Sequence, residues 1–366
     1  MKKDLALKRL SVYYHDNLVG LLAYLPDGSL GFQYDEKWLE NGFSISPFSL
    51  PLKPEVFFAK KMDFGGLFGV FDDSLPEGWG ALLLMRKLRE EGFNYATLNP
   101  LVKLSLVPST GKGALCYRPN YSSEDDASLA ELDALSEECS AVLKGEEIKD
   151  LDRLVGLGGS SGGARPKIHF QDRTGEWIVK FPASEDTPAA GKKEYETNLL
   201  AQTAGLNVNE FRLFPSLKTP GYFGAKRFDR NEGLPLHMVS LSGLLEVSYR
   251  NPVLDYIHLL QVIKKICKSP SDLLEGYRRM VFNVLIQNKD DHGKNFAFLY
   301  DEKEKGYVLS PAFDLTSTPY LYGHEMSANG KDNPSNEDLF AVAREAGIPE
   351  EKALEIYEQV SSLIRH

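Results

Sequence analysis

Apolar residues recur at two different periods along the chain, and the period changes part-way. In the first 50 residues, short aromatic and β-branched runs alternate with polar positions, as in "LSVYYHDNLVGLLAYLPDGSLGFQYD". That alternation, with turns at Asp16-Asn17 and Pro26-Asp27-Gly28, predicts antiparallel strands. From Gly78, "GWGALLLMRKLREEG" predicts a helix that stops near Gly92. Spaced Leu and Ala within an acidic stretch predict one surface helix from about Leu129 to Leu143. The polar stretch 120–150 around it is the expected seam after an N-terminal subdomain. From Val155 the pattern reads as a glycine-serine loop. A hairpin turning at Asp172 to Gly175 and stopped by Pro182 follows, then a helix ending at Gly205 and a strand in "YFGAKRFD". After about Val239 a helical period takes over. "SPSDLLEGYRRMVFNVLIQNK" has a Ser-Pro start, apolar positions at Leu274, Tyr277, Val281, Val284 and Leu285, and an end near Asn288. The chain therefore reads as α+β, β-rich first and mainly helical afterwards, with the change near residues 235–245. The expected domains are 1–120, 121–238 and 239–366.

One stretch departs from this alternation of core and surface. "NVLIQNKDDHGKNFAFLY" packs Asp, His, Lys and Asn between two apolar runs. Phe296 to Tyr300 reads as a strand, "DEKEKG" as a turn and Tyr307 to Leu309 as the partner strand, so a hairpin would set Asn295 beside Asp314. Asp290 sits in the loop that feeds the hairpin. An Asp and an Asn offering oxygens at one point suit Mg²⁺, and a further Asp could orient or deprotonate a hydroxyl. Taken alone, "DDHGKN" fits better a polar loop whose Asp and Asn cap turns, with His292 packing locally, and Asp314 alone fits a helix cap. No zinc site is expected, because His292 has no second histidine at ligand spacing.

"GLGGSSGGARPK" holds Gly158, Gly159, Ser160, Ser161, Gly162 and Gly163. It lacks the Walker pattern, and a strand rather than a helix follows it, which excludes the dinucleotide fingerprint. What remains is a loop whose backbone N–H groups approach phosphates closely. Lys180, in "WIVKFP", lies on a strand face with Ile178, opposite Trp177 and Val179. It reads as a phosphate-contacting lysine or as an edge-strand lysine that blunts aggregation. Glu194 on the next helix could pair with it or be solvated. The order of glycine loop, strand lysine, helix glutamate, Asp-x₄-Asn and hairpin Asp is the order a kinase requires.

Composition narrows the picture further. The net charge of −10 over 366 residues argues against broad phosphate-backbone binding. No apolar run approaches membrane-span length, and the start "MKKDLALKRLSVYY" has neither a long apolar region nor a cleavage site. The three cysteines, Cys116, Cys139 and Cys267, form no zinc or disulfide pattern. A soluble cytoplasmic protein without a membrane association is expected.

The ordered motifs resemble the HipA family of Ser/Thr kinases, the toxins of bacterial toxin–antitoxin pairs. The resemblance covers nearly the whole chain. It rests on "GLGGSSGGARPK", "WIVKFP", "KKEYETNLLAQTAGL", "RFDR", "NKDDHGKNFAFLY", "SPAFDLTSTPYL" and "MSANGKDNPSNEDLFAVAREAGI", with "HDNLVGLL" and "FDDSLPEGWG" in the N-terminal part. It implies a two-lobed protein-kinase-like fold related to lipid kinases, with ATP and Mg²⁺ as cofactors. Motif by motif it implies Asp290 as catalytic base, Asn295 and Asp314 as Mg²⁺ ligands, Lys180 as the ATP-phosphate lysine and Glu194 as its helix partner. The adenine hinge falls near Val239-Ser240. It further implies autophosphorylation of the glycine loop at Ser160, with Ser161 adjacent, which ejects the loop. The implied partners are a protein substrate such as an aminoacyl-tRNA synthetase and a small HipB-like DNA-binding antitoxin, through which any nucleic-acid contact would be indirect. A kinase-fold enzyme acting on a lipid or small molecule, and a pseudokinase binding module, are the competing expectations.

Overall fold

The computed structural model describes residues 6–60, 63–125 and 127–364. The first five residues, part of the start read above as lacking a secretion signal, lie outside the described residues. The chain folds as two units, one holding the residues up to Lys192 together with Phe211–His237, the other holding Lys193–Glu210 and the chain from Met238 onward. The 120–150 stretch lies within the first unit.

The first unit contains β1 (Arg9–Tyr14), β2 (Asn17–Tyr24), β3 (Leu30–Tyr34), α1 (Glu36–Asn41), β4 (Val56–Phe58), α2 (Gly69–Asp72), α3 (Gly78–Glu90), α4 (Pro100–Ser105), β5 (Leu115–Arg118), α5 (Leu132–Lys144) and α6 (Leu151–Gly158). Then come β6 (Lys167–Asp172), β7 (Gly175–Lys180), β8 (Phe211–Phe214), β9 (Tyr222–Lys226) and the short pair β10 (Arg230–Asn231) and β11 (Leu234–Pro235). One antiparallel sheet has the order β4-β3-β2-β1-β5 and a second β6-β7-β9-β8. Alternation sets their buried faces: Leu10, Val12 and Tyr14 in the first sheet, Ile168, Phe170, Trp177 and Val179 in the second.

The structure overturns one expectation. The glycine-serine loop does not begin at Val155, because α6 runs through to Gly158. Asp150 caps that helix by accepting from the Arg153 N–H, and burial of Leu151, Leu154, Val155 and Leu157 outweighs the cost of its glycines. The acidic stretch forms the expected helix, with its spaced apolar residues turned inward. After one 3₁₀ turn, α5 buries Leu132, Leu135, Cys139 and Val142, while Asp133 accepts hydrogen bonds from Ser216 and Tyr222.

The second unit contains α7 (Ala190–Thr203, which begins in the first unit), β12 (Met238–Ser240), α8 (Leu241–Leu245), α9 (Tyr256–Ile266), α10 (Ser271–Leu285), β13 (Ala297–Asp301), β14 (Gly306–Leu309), α11 (Asn336–Glu345) and α12 (Glu350–Ile364). α10 packs against α9 and α12, and the three strands form a sheet in the order β12-β13-β14. α10 stops at Leu285, short of Asn288, because Gln287 turns into the left-handed region (φ 55°) and the Asn288 N–H closes onto the Asn283 carbonyl. Among the described residues no helix is long and apolar enough to cross a membrane.

The first unit has a buried ionic centre. Arg227 bonds both oxygens of Asp229 and the carbonyls of Thr110 and Gly111, and Arg230 adds bonds to Asp229 and to the Gly113 carbonyl. The two guanidinium groups hold Asp229 far below the usual carboxylate range against the opposing effect of its burial. Arg227 also donates to His169 Nδ1 at 3.3 Å, so that ring is neutral with its proton on Nε2. Burial, reinforced by Arg227, pushes His169 down to about 3. Burial likewise pushes His237 down to about 4, opposed by its bond to the Ile45 carbonyl.

Both histidines stay neutral in the folded chain while the unfolded chain protonates below about pH 6.5. Stability should therefore be highest above that pH and fall on the order of 1–2 kcal/mol per unit as pH drops toward 5, before most carboxylates titrate. Urea midpoints at pH 7.5, 6.5 and 5.5 measure this, and a double His169→Gln, His237→Gln variant should flatten the slope. A wild-type midpoint independent of pH over that window contradicts it.

Candidate active site

The β13–β14 hairpin forms as expected, with Phe298 opposite Leu309 and the Ser310 N–H donating to the Ala297 carbonyl. Its open end receives the irregular loop 286–296, whose backbone groups need partners that no regular ladder supplies. Thr318 meets part of that need. Its Oγ1 accepts from the N–H of Lys289 at 2.8 Å and of Asp290 at 3.3 Å, and its own N–H donates to the Gln287 carbonyl at 2.9 Å. From the other side the Asn295 side-chain amide donates to the Asp290 carbonyl at 2.8 Å. Asp290 is thus held by its backbone while its side chain stays 57% exposed, with His292 Nε2 at 3.8 Å from Oδ1. This is the placement a general base requires, fixed but reachable.

Asn295 and Asp290 are therefore brought together directly. The Asp314 backbone carbonyl lies 3.5 Å from the side-chain amide of Asn288, two residues before Asp290. Asp314 adopts a left-handed backbone (φ 53°), and no helix follows before α11, so the helix-cap reading of this residue fails. With its NH₂ turned onto Asp290, Asn295 has its Oδ1 left as the acceptor, the hard donor an Mg²⁺ ion takes. Among the described residues no three His, Cys, Asp or Glu side chains gather around one point. A cation held by one amide and one carboxylate would complete its shell with water and phosphate oxygens. Val239 and Ser240 lie on the edge strand β12 and are buried. The Ser240 hydroxyl caps α8 through the Gly243 N–H, which leaves backbone edges as what this segment could offer a base.

In the first unit, Lys180 ends β7 opposite Lys167, with its ammonium 5.7 Å from the Phe223 ring centre. Glu194, on α7 in the second unit, is 4% exposed, so it is not the solvated helix glutamate of the plainer reading.

The loop 159–166 is fixed by its carbonyls. The Ser161 carbonyl accepts from the Glu77 N–H at 3.2 Å and the Gly163 carbonyl from the Trp79 N–H at 2.9 Å. The Gly162 carbonyl accepts from the Lys167 ammonium at 2.6 Å. In a trans peptide the next N–H points opposite to the carbonyl. The amides of Gly162, Gly163 and Ala164 therefore face away from these anchors, as a backbone anion cradle needs. Ser160 and Ser161 are 4% and 2% exposed, and the Ser161 hydroxyl donates to the Gly158 carbonyl at 2.7 Å.

Sequence reasoning missed several of these groups. Thr318 lies inside "SPAFDLTSTPYL" and the Glu77–Gly80 turn inside "FDDSLPEGWG", but neither motif says which backbone groups it will meet. Lys167 lies on a strand beside the loop as Lys180 does, and nothing in its local pattern marks it as the loop's anchor. Glu325 had no signal. Its N–H donates to the Lys289 carbonyl at 3.1 Å. Its carboxyl is raised by burial, opposed by His292 and raised further by Asp290 and Asp291.

Known proteins resemble this chain over most of its length. The family model for the HipA N-terminal domain matches residues 10–118 and that for the HipA-like C-terminal domain residues 159–366. Y4dM of Sinorhizobium fredii is 26% identical over 339 residues, covering 87% of this chain and 80% of that protein. Y4mE of the same organism is 25% identical over 349 residues, covering 86% and 78%. Both carry provisional kinase names. A chain from the Shewanella oneidensis MR-1 toxin–antitoxin complex of HipA, HipB and operator DNA superposes with a TM-score of 0.74 at 20% identity, covering 97% of this chain and 88% of that one. The expected α+β, two-lobed kinase-like fold is borne out by that match.

The Glu77–Gly80 turn yields a test. Gly78 has φ +47°, and a Cβ on Gly80 would stand 2.5 Å from the Ser161 carbonyl oxygen. Gly80→Ala should therefore push the loop off its anchors, costing about 1–3 kcal/mol of stability. Hydrogen exchange across 158–166 should rise at the same time. Unchanged exchange there would refute the anchoring.

Proposed function

Because the chain belongs to the HipA family, we propose that it is an ATP- and Mg²⁺-dependent protein Ser/Thr kinase that transfers the γ-phosphate to a hydroxyl of a target protein. The observation that carries this is the 286–296 loop, in which Asp290 is clamped by Thr318 and Asn295 yet projects an exposed carboxylate. Asp290 orients the attacking hydroxyl and accepts its proton, Asn295 and Asp314 hold the cation, and Lys180 and the 162–164 amides bind phosphate oxygens. Glu194 takes the role of the helix glutamate. When bound, Mg²⁺ neutralises charge on the transferring phosphoryl group.

Regulation belongs to the same proposal. Ser160 is the self-phosphorylation site, favoured over Ser161, whose hydroxyl is already engaged with the Gly158 carbonyl. A phosphate there brings nearly two negative charges to a loop that would otherwise cradle ATP phosphates, so the loop leaves its seat. The Shewanella HipA was captured with HipB and operator DNA. A small DNA-binding antitoxin of that kind is the proposed partner, with an aminoacyl-tRNA synthetase as the proposed target and the cytoplasm as the setting.

Incubating the chain with γ-labelled ATP, Mg²⁺ and a cell lysate tests the proposal. Wild type should label itself and a lysate protein, and Asp290→Asn should lower transfer at least about 100-fold. Ser160→Ala should lose self-label while still labelling the lysate protein. Label confined to a lipid fraction would make it a kinase of another substrate. Thermal stabilisation by ATP with transfer no greater than Asp290→Asn would make it a binding module.

A further inference from the structure

Two aspartates stand side by side at 290 and 291, and only the first has been given a task. Asp291 is 1% exposed, with four donors around it. Oδ2 accepts from the Tyr256 hydroxyl at 2.6 Å and from His324 Nδ1 at 2.8 Å. Oδ1 accepts from the N–H of Glu325 at 3.0 Å and of Met326 at 3.4 Å. The directions are fixed by the neighbours. Asn283 donates its amide to the Tyr256 oxygen at 3.0 Å, so the Tyr256 proton is left for Asp291. Burial and the Asp291 charge both raise Tyr256 well above its ordinary value, which keeps that proton in place. His324 must carry its proton on Nδ1.

The same line of bonds continues toward Asp314. Asn288 donates to the Asn283 side-chain oxygen at 3.1 Å and lies 3.5 Å from the Asp314 carbonyl. Tyr256 opens α9, its ring set edge-on against Phe296 at 5.7 Å. The segment from His324 is in turn tied to the start of α9, where Asp255 accepts from the Ser327 hydroxyl and the Gly330 N–H. Lys289, on the far side of Asp290, grips the Leu321 carbonyl at 2.9 Å. One buried carboxylate thus joins the loop carrying Asp290, the first turn of α9 and the strap 324–326.

We propose that Asp291 is a positioning residue for phosphoryl transfer: its acceptor-only carboxylate, ringed by Tyr256, His324 and the 325–326 amides, fixes the loop that aims Asp290 relative to Asp314. This rests on the kinase assignment above. Because all four partners are donors, an amide at this position turns its NH₂ against at least one of them, and the clamp loosens without any change in size. Misplacement of a base by a fraction of an ångström slows the chemical step and leaves ATP binding largely alone.

The test uses the full chain with Asp291→Asn, His324→Leu and His324→Asn. For Asp291→Asn the rate of self-labelling at saturating ATP should fall about 10- to 100-fold while the apparent KM for ATP stays within about threefold. His324→Asn, which can present an N–H where Nδ1 stood, should recover most of the loss seen in His324→Leu. Amide exchange across 288–295 should rise in Asp291→Asn with wild-type exchange retained in β6 and β7. An unchanged rate, or a rate and KM that fail together with a collapse of the melting temperature, overturns the proposal. So does His324→Asn failing as badly as His324→Leu. Should wild type transfer no phosphate at all, the kinase assignment falls, and the exchange measurement alone decides the clamp: unchanged exchange across 288–295 rejects it and raised exchange upholds it as a loop clamp.

Discussion

Irregular backbone inside a folded chain must find a partner for each buried N–H and carbonyl, and that requirement shapes both segments that matter here. Neither the 159–166 loop nor the 286–296 loop belongs to a helix or a ladder for most of its length. The first hands its carbonyls to the Glu77 and Trp79 amides and to Lys167. The second hands its amides to Thr318 and its Asp290 carbonyl to Asn295. In each case the anchoring leaves the opposite edge of the loop to the outside. For the glycine loop that edge is a row of N–H groups, and for the other loop it is a carboxylate. The chemistry proposed for each loop is thus the complement of what its anchors consume.

The neighbouring aspartates show how environment separates two identical side chains. The Asp290 side chain is 57% exposed, whereas that of Asp291 is fully enclosed. A carboxylate shut away from water is tolerable only when its lone pairs are filled, and the four donors around Asp291 fill them. An enclosed acceptor with no free lone pair cannot take a proton from a substrate, whereas an exposed one can. Placing the two in sequence lets the brace act one peptide away from the group it aims. The Arg227–Asp229–Arg230 centre follows the same rule for charge, its guanidinium groups turned onto carboxylate and carbonyl oxygens and, from Arg227, onto the His169 ring.

Much of the fold was legible because local pattern and tertiary role agree. The alternation in β1 to β3, the Asp172–Gly175 turn, Gly205 after α7 and the β13–β14 hairpin each carry their signal in adjacent residues. α6 was misread because its glycines suggest a loop, and only the burial of Leu154, Val155 and Leu157 says otherwise. The pairing of Asn295 with Asp290 was legible because the two stand five residues apart in one short loop ahead of the hairpin. The supporting groups were not. Tyr256 and His324 meet Asp291 across 35 and 33 residues, and Trp79 meets Lys167 across 88. At such separations nothing in the local composition marks one partner for the other. A buried acidic residue next to an exposed one looks, in sequence, like two surface charges.

The anchoring of the glycine loop also constrains how the proposed self-phosphorylation could proceed. With Ser160 at 4% and Ser161 at 2% exposed, neither hydroxyl can reach a phosphate donor while the loop is seated. Release must come first. Three hydrogen bonds hold the carbonyls of Ser161, Gly162 and Gly163, and at a net value of roughly 1 kcal/mol each their loss costs about 3 kcal/mol. Once a phosphate is attached, the seat has to accept nearly two extra negative charges at a serine whose side chain was buried. Burying such a group without matched donors costs more than the three bonds return. A loop held by a few backbone hydrogen bonds, with the serine hydroxyls on its hidden side, would therefore be kept out of its seat by the proposed modification, which requires the loop to be released first.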